Sequence, residues 1–373
     1  LRKAARRYPR DNAGGQSAMS AAAADAYLNT RVSVMASRLL DTDTVAKLSR
    51  LTLPELAERL NLPALLDDTL GSNAKSRAVE QALVSLLLIE LAILIRPMSA
   101  MGRALILKWG RKLALFNLTA LLRSKLHNLD QTETLENLFE LPPALRLPIP
   151  RQELFRAESA QELLRILEQT QYGLIARQAR EVYEQRRDPF ALEAAIDQRY
   201  YSEMTHTLMQ FDSVSLQPLR RVLGALLDQV NLIWMLRFRF SYHLNPSETF
   251  FYLVPSFRLL HRERLLELVN IDNLEQLIAA LPPPLDAELA GSRSLIEVQQ
   301  RVAKLTAQEM HRVLAYSSSG VARALAYLIL REREVRLLFS LVQGRLLELP
   351  DDLLDMGLEL AEPHCPTTMP AAA

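Results

Sequence analysis

In Val230-Asn231-Leu232-Ile233-Trp234-Met235-Leu236-Arg237-Phe238-Arg239 nearly every position is apolar, and the exceptions are one amide and two arginines. A helix that is apolar on almost all sides has to be buried among other helices. Each polar side chain on it then needs a partner, because a buried amide without a hydrogen bond costs a few kcal/mol. Asp228 and Asn231 lie three positions apart and share a helical face. Arg237 and Arg239 fall at the C-terminal end, where cations complement the helix dipole. The stretch predicts a helical bundle in which these polar groups tie one long helix to its neighbours.

Working outward, the pattern recurs on both sides. Phe116-Asn117-Leu118-Thr119-Ala120-Leu121-Leu122-Arg123-Ser124-Lys125 precedes it, and Arg333-Glu334-Val335-Arg336-Leu337-Leu338-Phe339 follows. Each lies about a hundred residues from the next, a period too long for helical repeats of roughly 34–47 residues. Three related helical units are expected. Pro142-Pro143 with Pro148 and Pro150, and Pro282-Pro283-Pro284, supply the boundaries. These place unit 1 at 21–146, unit 2 at 147–284 and unit 3 at 285–361, the last open to packing with the N-terminal helices. Residues 1–20 read as a disordered basic arm, upstream of a start at Met19 or with the Arg-rich, acid-poor character of a transit peptide. Residues 362–373 read as a disordered tail.

Composition agrees with an all-α chain. Only 11 glycines and an aromatic share of 6% argue against strands, while Leu and Ala dominate the apolar residues. A net charge of +1 gives no reason to expect nucleic acid as a partner. The single cysteine, Cys365, forms no internal disulfide and fits a reducing cytoplasm. The most apolar run, Ala82–Ile95, is interrupted by Glu90 and falls short of the roughly 20 residues of a bilayer span, so it reads as a buried core helix. Apolar spacing places further helices at Ala21–Leu40, Leu53–Leu60, Ala64–Leu70, Lys75–Ile95 and Ser99–Leu126. In the later part they fall at Ala160–Gln169, Gly173–Gln185, Pro189–Phe211, near Pro218 to Tyr242, Leu259–Leu268 and Leu274–Ala280. The last group is Leu295–Lys304, Thr306–Ala315, Gly320–Gln343 and Asp351–Leu360.

Four segments in order resemble a known family, the C-type subunits of A-type and V-type rotary ATPases, whose eukaryotic members are called d. Tyr27-Leu28-Asn29-Thr30-Arg31 through Leu40 resembles the family's first helix. Asp188-Pro189-Phe190, continuing through Asp197 to Tyr200-Tyr201, is similar to its acidic-then-aromatic helix. Asp228–Arg237 looks like its Asp-x-x-Asn…Arg helix, and Glu332–Pro350 like its C-terminal helix. The likeness spans roughly residues 27 to 360. Three departures stand out: Ala114 sits where the family usually carries an acid, Glu334 where the other two units have Asn, and the loop Ser241–Glu248 is unusual. The resemblance implies three similar helical-bundle domains in a pseudo-threefold funnel. Such a funnel sits on the cytoplasmic face of the membrane, peripheral to it, between the D/F-type rotor shaft and the membrane rotor ring, and is non-catalytic. Structural or shaft-contact roles then fall to Asn117, Arg123, Asp197, Tyr200, Asp228, Asn231, Arg237, Glu334 and Arg336.

The residues themselves show no catalytic motif. There is no phosphate-binding glycine loop, no Gly-x-Ser-x-Gly elbow and no His-x-x-x-His pair, so no cofactor or metal is expected. The alternating charges of Arg331–Arg336 suit an ion-paired face between helices, or an inner wall facing a shaft. The alternative reading is a free-standing helical scaffold, with a concave superhelix in place of a funnel.

Overall fold

The computed structural model describes residues 13–360, which contain helices and no strand. The first group is α1 (Ala13–Ala36), α2 (Thr42–Ser49), α3 (Leu53–Leu60), α4 (Ser72–Ile95), α5 (Ala100–Gly110), α6 (Lys112–His127) and α7 (Gln131–Glu136). The middle group is α8 (Arg151–Arg156), α9 (Ala160–Glu168), α10 (Gly173–Arg186), α11 (Pro189–Leu208), α12 (Ser213–Leu236) and α13 (Pro246–Tyr252). The last group is α14 (Arg262–Leu268), α15 (Leu274–Ala279), α16 (Leu285–Leu289), α17 (Leu295–Tyr316), α18 (Gly320–Leu346) and α19 (Asp351–Leu360). Of the basic arm read over residues 1–20, residues 1–12 lie outside the described residues, and α1 takes in the rest. The tail at 362–373 also lies outside them.

Local chemistry explains most helix starts. The Asp188 carboxylate accepts hydrogen bonds from the Phe190 and Ala191 amides at 3.0 and 3.2 Å, with Pro189 in the first turn of α11. Thr52 and Glu55 close a capping box on α3. Asp41, expected to end a helix, instead begins α2 by accepting from the Thr44 amide at 2.7 Å.

Three differences from the sequence expectations have physical causes. The helix expected over Ser99–Leu126 is two, α5 and α6, broken at Arg111. There a Cβ on Gly110 would lie 3.1 Å from Leu91 and 3.2 Å from Leu145, so the joint packs directly on its neighbours. Conversely, α17 is one helix where two were expected. Thr306 needs no cap position, because its hydroxyl donates to the Val302 carbonyl at 3.0 Å inside the helix. Finally, α4 is not buried all round. Leu83, Leu87, Leu91 and Leu94 are buried on one face, while Leu86 is 41% and Ile89 57% exposed on the other. Among the described residues it is the one helix long and apolar enough to cross a membrane.

The core runs continuously through all three groups. α12 packs on α11, α17 and α18. α18 in turn packs on α1, α3, α4, α17 and α19, so the first helices of the chain complete the surroundings of one of the last. Gly320 allows this approach: a Cβ there would lie 2.7 Å from the Asp25 carboxylate and 2.9 Å from Leu28. Arg323 of α18 fixes it further, donating to the Asn29 side chain at 2.8 Å and the Ser33 hydroxyl at 2.6 Å. Leu141, just before the prolines at 142–150, and Leu145 and Ile149 among them are buried in the core.

Candidate functional site

The polar groups that stand out in the sequence are mostly anchors, and two of them form the same device. Asn117 on α6 donates to the Phe139 carbonyl at 2.9 Å and accepts from the Phe139 amide at 2.8 Å. Asn231 on α12 donates to the Val254 carbonyl at 2.6 Å and accepts from the Val254 amide at 2.9 Å. An amide matches both groups of one residue in an extended segment, as a strand partner would. The two asparagines are 8% and 0% exposed, so each clasp fastens a returning segment to a buried helix. Glu334 on α18 departs from the pattern in a way its chemistry requires. Its carboxylate only accepts, and it takes the Leu40 amide at 2.5 Å. The segment it holds follows α1, far upstream, instead of coming next in sequence.

Around the clasps sit ion pairs. Arg123 on α6 grips both carboxylate oxygens of Glu193 on α11, at 2.6 and 2.7 Å. Burial pushes the Glu193 carboxyl up from its ordinary range, and Arg123 opposes that rise. Asp228, 2% exposed, accepts from Arg258 at 3.0 Å and from the Leu260 amide at 2.9 Å. Burial raises its pKa, while the Ser256 hydroxyl, the Leu260 amide and Arg258 work against the shift. Asp197 is buried on α11. The Tyr200 hydroxyl donates to the Trp109 carbonyl at 2.8 Å, satisfying the end of α5 at the break before α6. Arg237 donates to the Gln299 side chain at 3.1 Å, bridging the turn after α12 to α17.

A junction emerges where α5, α6, α11, α12, α17 and α18 converge. A cavity of about 50 Å³ remains there, lined by Trp109, Lys112, Tyr200, Trp234, Glu332 and Arg336 among others. Lys112 and Glu332 form a buried ion pair, each side chain 10% exposed. Arg336 reaches the other oxygen of Glu332 at 3.1 Å. The Lys112 ammonium also lies 3.9 Å from the centre of the Trp109 ring. Burial alone would raise the Glu332 carboxyl, but the two cations outweigh it and hold the group below its ordinary range.

A second chain of contacts runs along α18. The Tyr327 hydroxyl donates to Glu90 of α4 at 2.8 Å, and Arg331 donates to the same carboxylate at 3.1 Å. Arg331 also pairs with Glu334, which holds Leu40. Within 331–336, Arg331 thus reaches Glu90 of α4 and Glu332 reaches Lys112 of α6, while Arg331–Glu334 and Glu332–Arg336 pair along α18 itself. Sequence reasoning brings together neither Glu90 with Tyr327 and Arg331 nor Lys112 with Glu332. Glu90 stands out only as the polar interruption of an apolar run, and nothing local marks Lys112 as the partner of Glu332.

The charges of this junction are paired, Lys112 and Arg336 with Glu332, and the cavity beside them is small. Residues 28–355 match the family described as ATP synthase (C/AC39) subunit. The chain belongs to that family. The C-type subunit of the A-type ATP synthase of Methanocaldococcus jannaschii is 23% identical to it over 355 residues, covering 90% of this chain and 86% of that protein. The family match spans α4, α6, α12 and α18, and thus both asparagine clasps and the Lys112–Glu332–Arg336 junction.

Proposed function

We propose that this chain is the central-stalk adaptor of an A-type or V-type rotary ATPase. In this reading three similar helical units form a funnel on the cytoplasmic face of the membrane, peripheral to it. The funnel receives the D/F-type shaft, rests on the membrane rotor ring and passes torque between them. It hydrolyses nothing itself. Family membership over residues 28–355 carries the reading. Its physical support is the junction, because a close-packed interior has low compressibility and transmits strain between the helices it joins. The paired clasps at Asn117 and Asn231 favour related units over an unrelated scaffold.

The test is recovery of partners, and then coupling. The full chain, tagged and expressed in its own cells, is recovered from solubilised membranes. Shaft and ring proteins in stoichiometric amounts are the expected result, and their absence would sink the proposal. In reconstituted vesicles, complex lacking this chain should still hydrolyse ATP at the catalytic head while ion pumping is lost. Undiminished pumping would show that torque takes another route.

A further inference from the structure

A groove of about 590 Å³ lies between the first turns of α12, the end of α17 and the Ser256–Arg258 loop. Four arginines line it, Arg220, Arg221, Arg258 and Arg312, and among the described residues no carboxylate does. Two acids lie behind the lining. Asp228 takes Arg258 at 3.0 Å. Glu309 is shared by Arg312 at 2.6 Å, Arg258 at 3.7 Å and Arg221 at 3.9 Å. Among the described residues, Arg220 meets the Met209 sulfur at 3.8 Å and the Phe257 ring at 6.0 Å, and its Nε is buried without a hydrogen-bond partner. Four guanidinium groups thus face two carboxylates, and the surplus positive charge opens to solvent. The Arg221 and Arg312 side chains are 60% and 61% exposed. Tyr316, at the lip, is 87% exposed.

The floor of the groove is built, not incidental. A Cβ on Gly224 would lie 2.8 Å from the Arg258 Cβ, so the glycine admits Arg258 against α12. That close seat is what lets Arg258 reach Asp228 and Glu309 together.

We infer that this groove docks an acidic segment of a partner protein, with carboxylates set against Arg220, Arg221 and Arg312 and a side chain packed on Tyr316. Charge complementarity sets the sign of the partner. The pairing of arginine with an exposed tyrosine is the composition of protein–protein hot spots. The chemistry of the groove is independent of which complex holds the chain, so its test and that of the rotary-ATPase reading fail separately.

Two measurements decide it. In the first, Tyr316 of the full chain is replaced by photoreactive p-benzoylphenylalanine, the native complex is assembled and irradiated, and the cross-linked peptide is sequenced. A peptide with two or more Asp or Glu beside the cross-link supports the proposal, whichever protein it comes from. A neutral or basic peptide, a lipid adduct or no adduct overturns it. In the second, a fluorescein-labelled octaglutamate peptide is titrated into the full chain by anisotropy. The R221E/R312E double variant, with circular dichroism unchanged, should bind about tenfold more weakly, and added salt should weaken the wild type likewise. Equal binding by both overturns the proposal. So does saturation of the groove by tripolyphosphate or by phosphatidylglycerol vesicles under conditions where the peptide does not bind.

Discussion

Replacing Asn231 tests the clasp most directly. The side chain is 0% exposed and serves both backbone groups of Val254, at 2.6 and 2.9 Å. Asn231→Ala leaves a buried carbonyl and a buried amide unsatisfied, at about 1–3 kcal/mol each, so about 4 kcal/mol in total. Unfolding entropy of about 2.1 cal/mol/K per residue turns this into a drop of roughly 5 °C in Tm if the whole chain melts as one unit. Asn231→Asp separates the hydrogen-bond argument from the loss of volume. Protonated, the new carboxyl both donates and accepts, as the amide does; ionised, it faces the Val254 carbonyl with a charge. Its folded pKa must lie above the ordinary value of about 3.9. The folded state then holds the proton more tightly, so the variant loses stability as pH rises from that value through the folded pKa. Circular dichroism melts from pH 4 to 8 give the Tm, and hydrogen exchange at the Val254 amide gives the local effect. A Tm within about 1 °C of wild type for Asn231→Ala, with Val254 still protected, would refute the reasoning, since about 1 °C corresponds to less than one hydrogen bond.

Other consequences are open to the same kind of measurement. Arg123→Ala strips a bidentate partner from Glu193, whose side chain is 13% exposed, and should cost about 2 kcal/mol in urea titration after allowance for the partial exposure of Arg123. Adding Glu193→Leu should restore much of the loss, and no recovery would show that the charge is not what is left unpaired. Glu332, held below its ordinary value of 4.5, contributes stability above that pH, and the contribution disappears as pH falls through its lower folded pKa. Glu332→Gln should therefore lower Tm at pH 7 and flatten the acid limb of the Tm profile; parallel profiles would refute this. Gly224→Ala puts a methyl 2.8 Å from the Arg258 Cβ and should cost about 1–2 kcal/mol by displacing Arg258 from Asp228. An unchanged urea midpoint would show that the loop yields freely.

Helix existence is legible wherever caps or apolar period are strong. Leu53–Leu60 begins and ends where the sequence places it, and α19 begins at the expected Asp351. Joints are harder to see. The break at Arg111 involves Leu145 and Tyr200 arriving from elsewhere, and the one local signal, Gly110, is easily read through inside an apolar period. The need for partners at Asn117 and Asn231 follows from polarity within apolar runs. The identity of those partners does not, because Phe139 and Val254 are met through backbone groups that every residue carries. The central ion pair is the least visible. Lys112 and Glu332 are 220 positions apart, and either alone reads as a solvated charge.

The hold of Arg323 on Asn29, across 294 positions, also sets an order of events during synthesis. α1 leaves the ribosome with Leu28, Val32 and Met35 forming an apolar stripe whose seat, α18, does not yet exist. At about 5–20 residues per second, the wait is on the order of tens of seconds. Through that interval the stripe is available to chaperones and to neighbouring nascent chains. The last long helix therefore acts as a latch that ends the vulnerable period, and slowing translation just before Gly320 should raise aggregation without altering the finished fold.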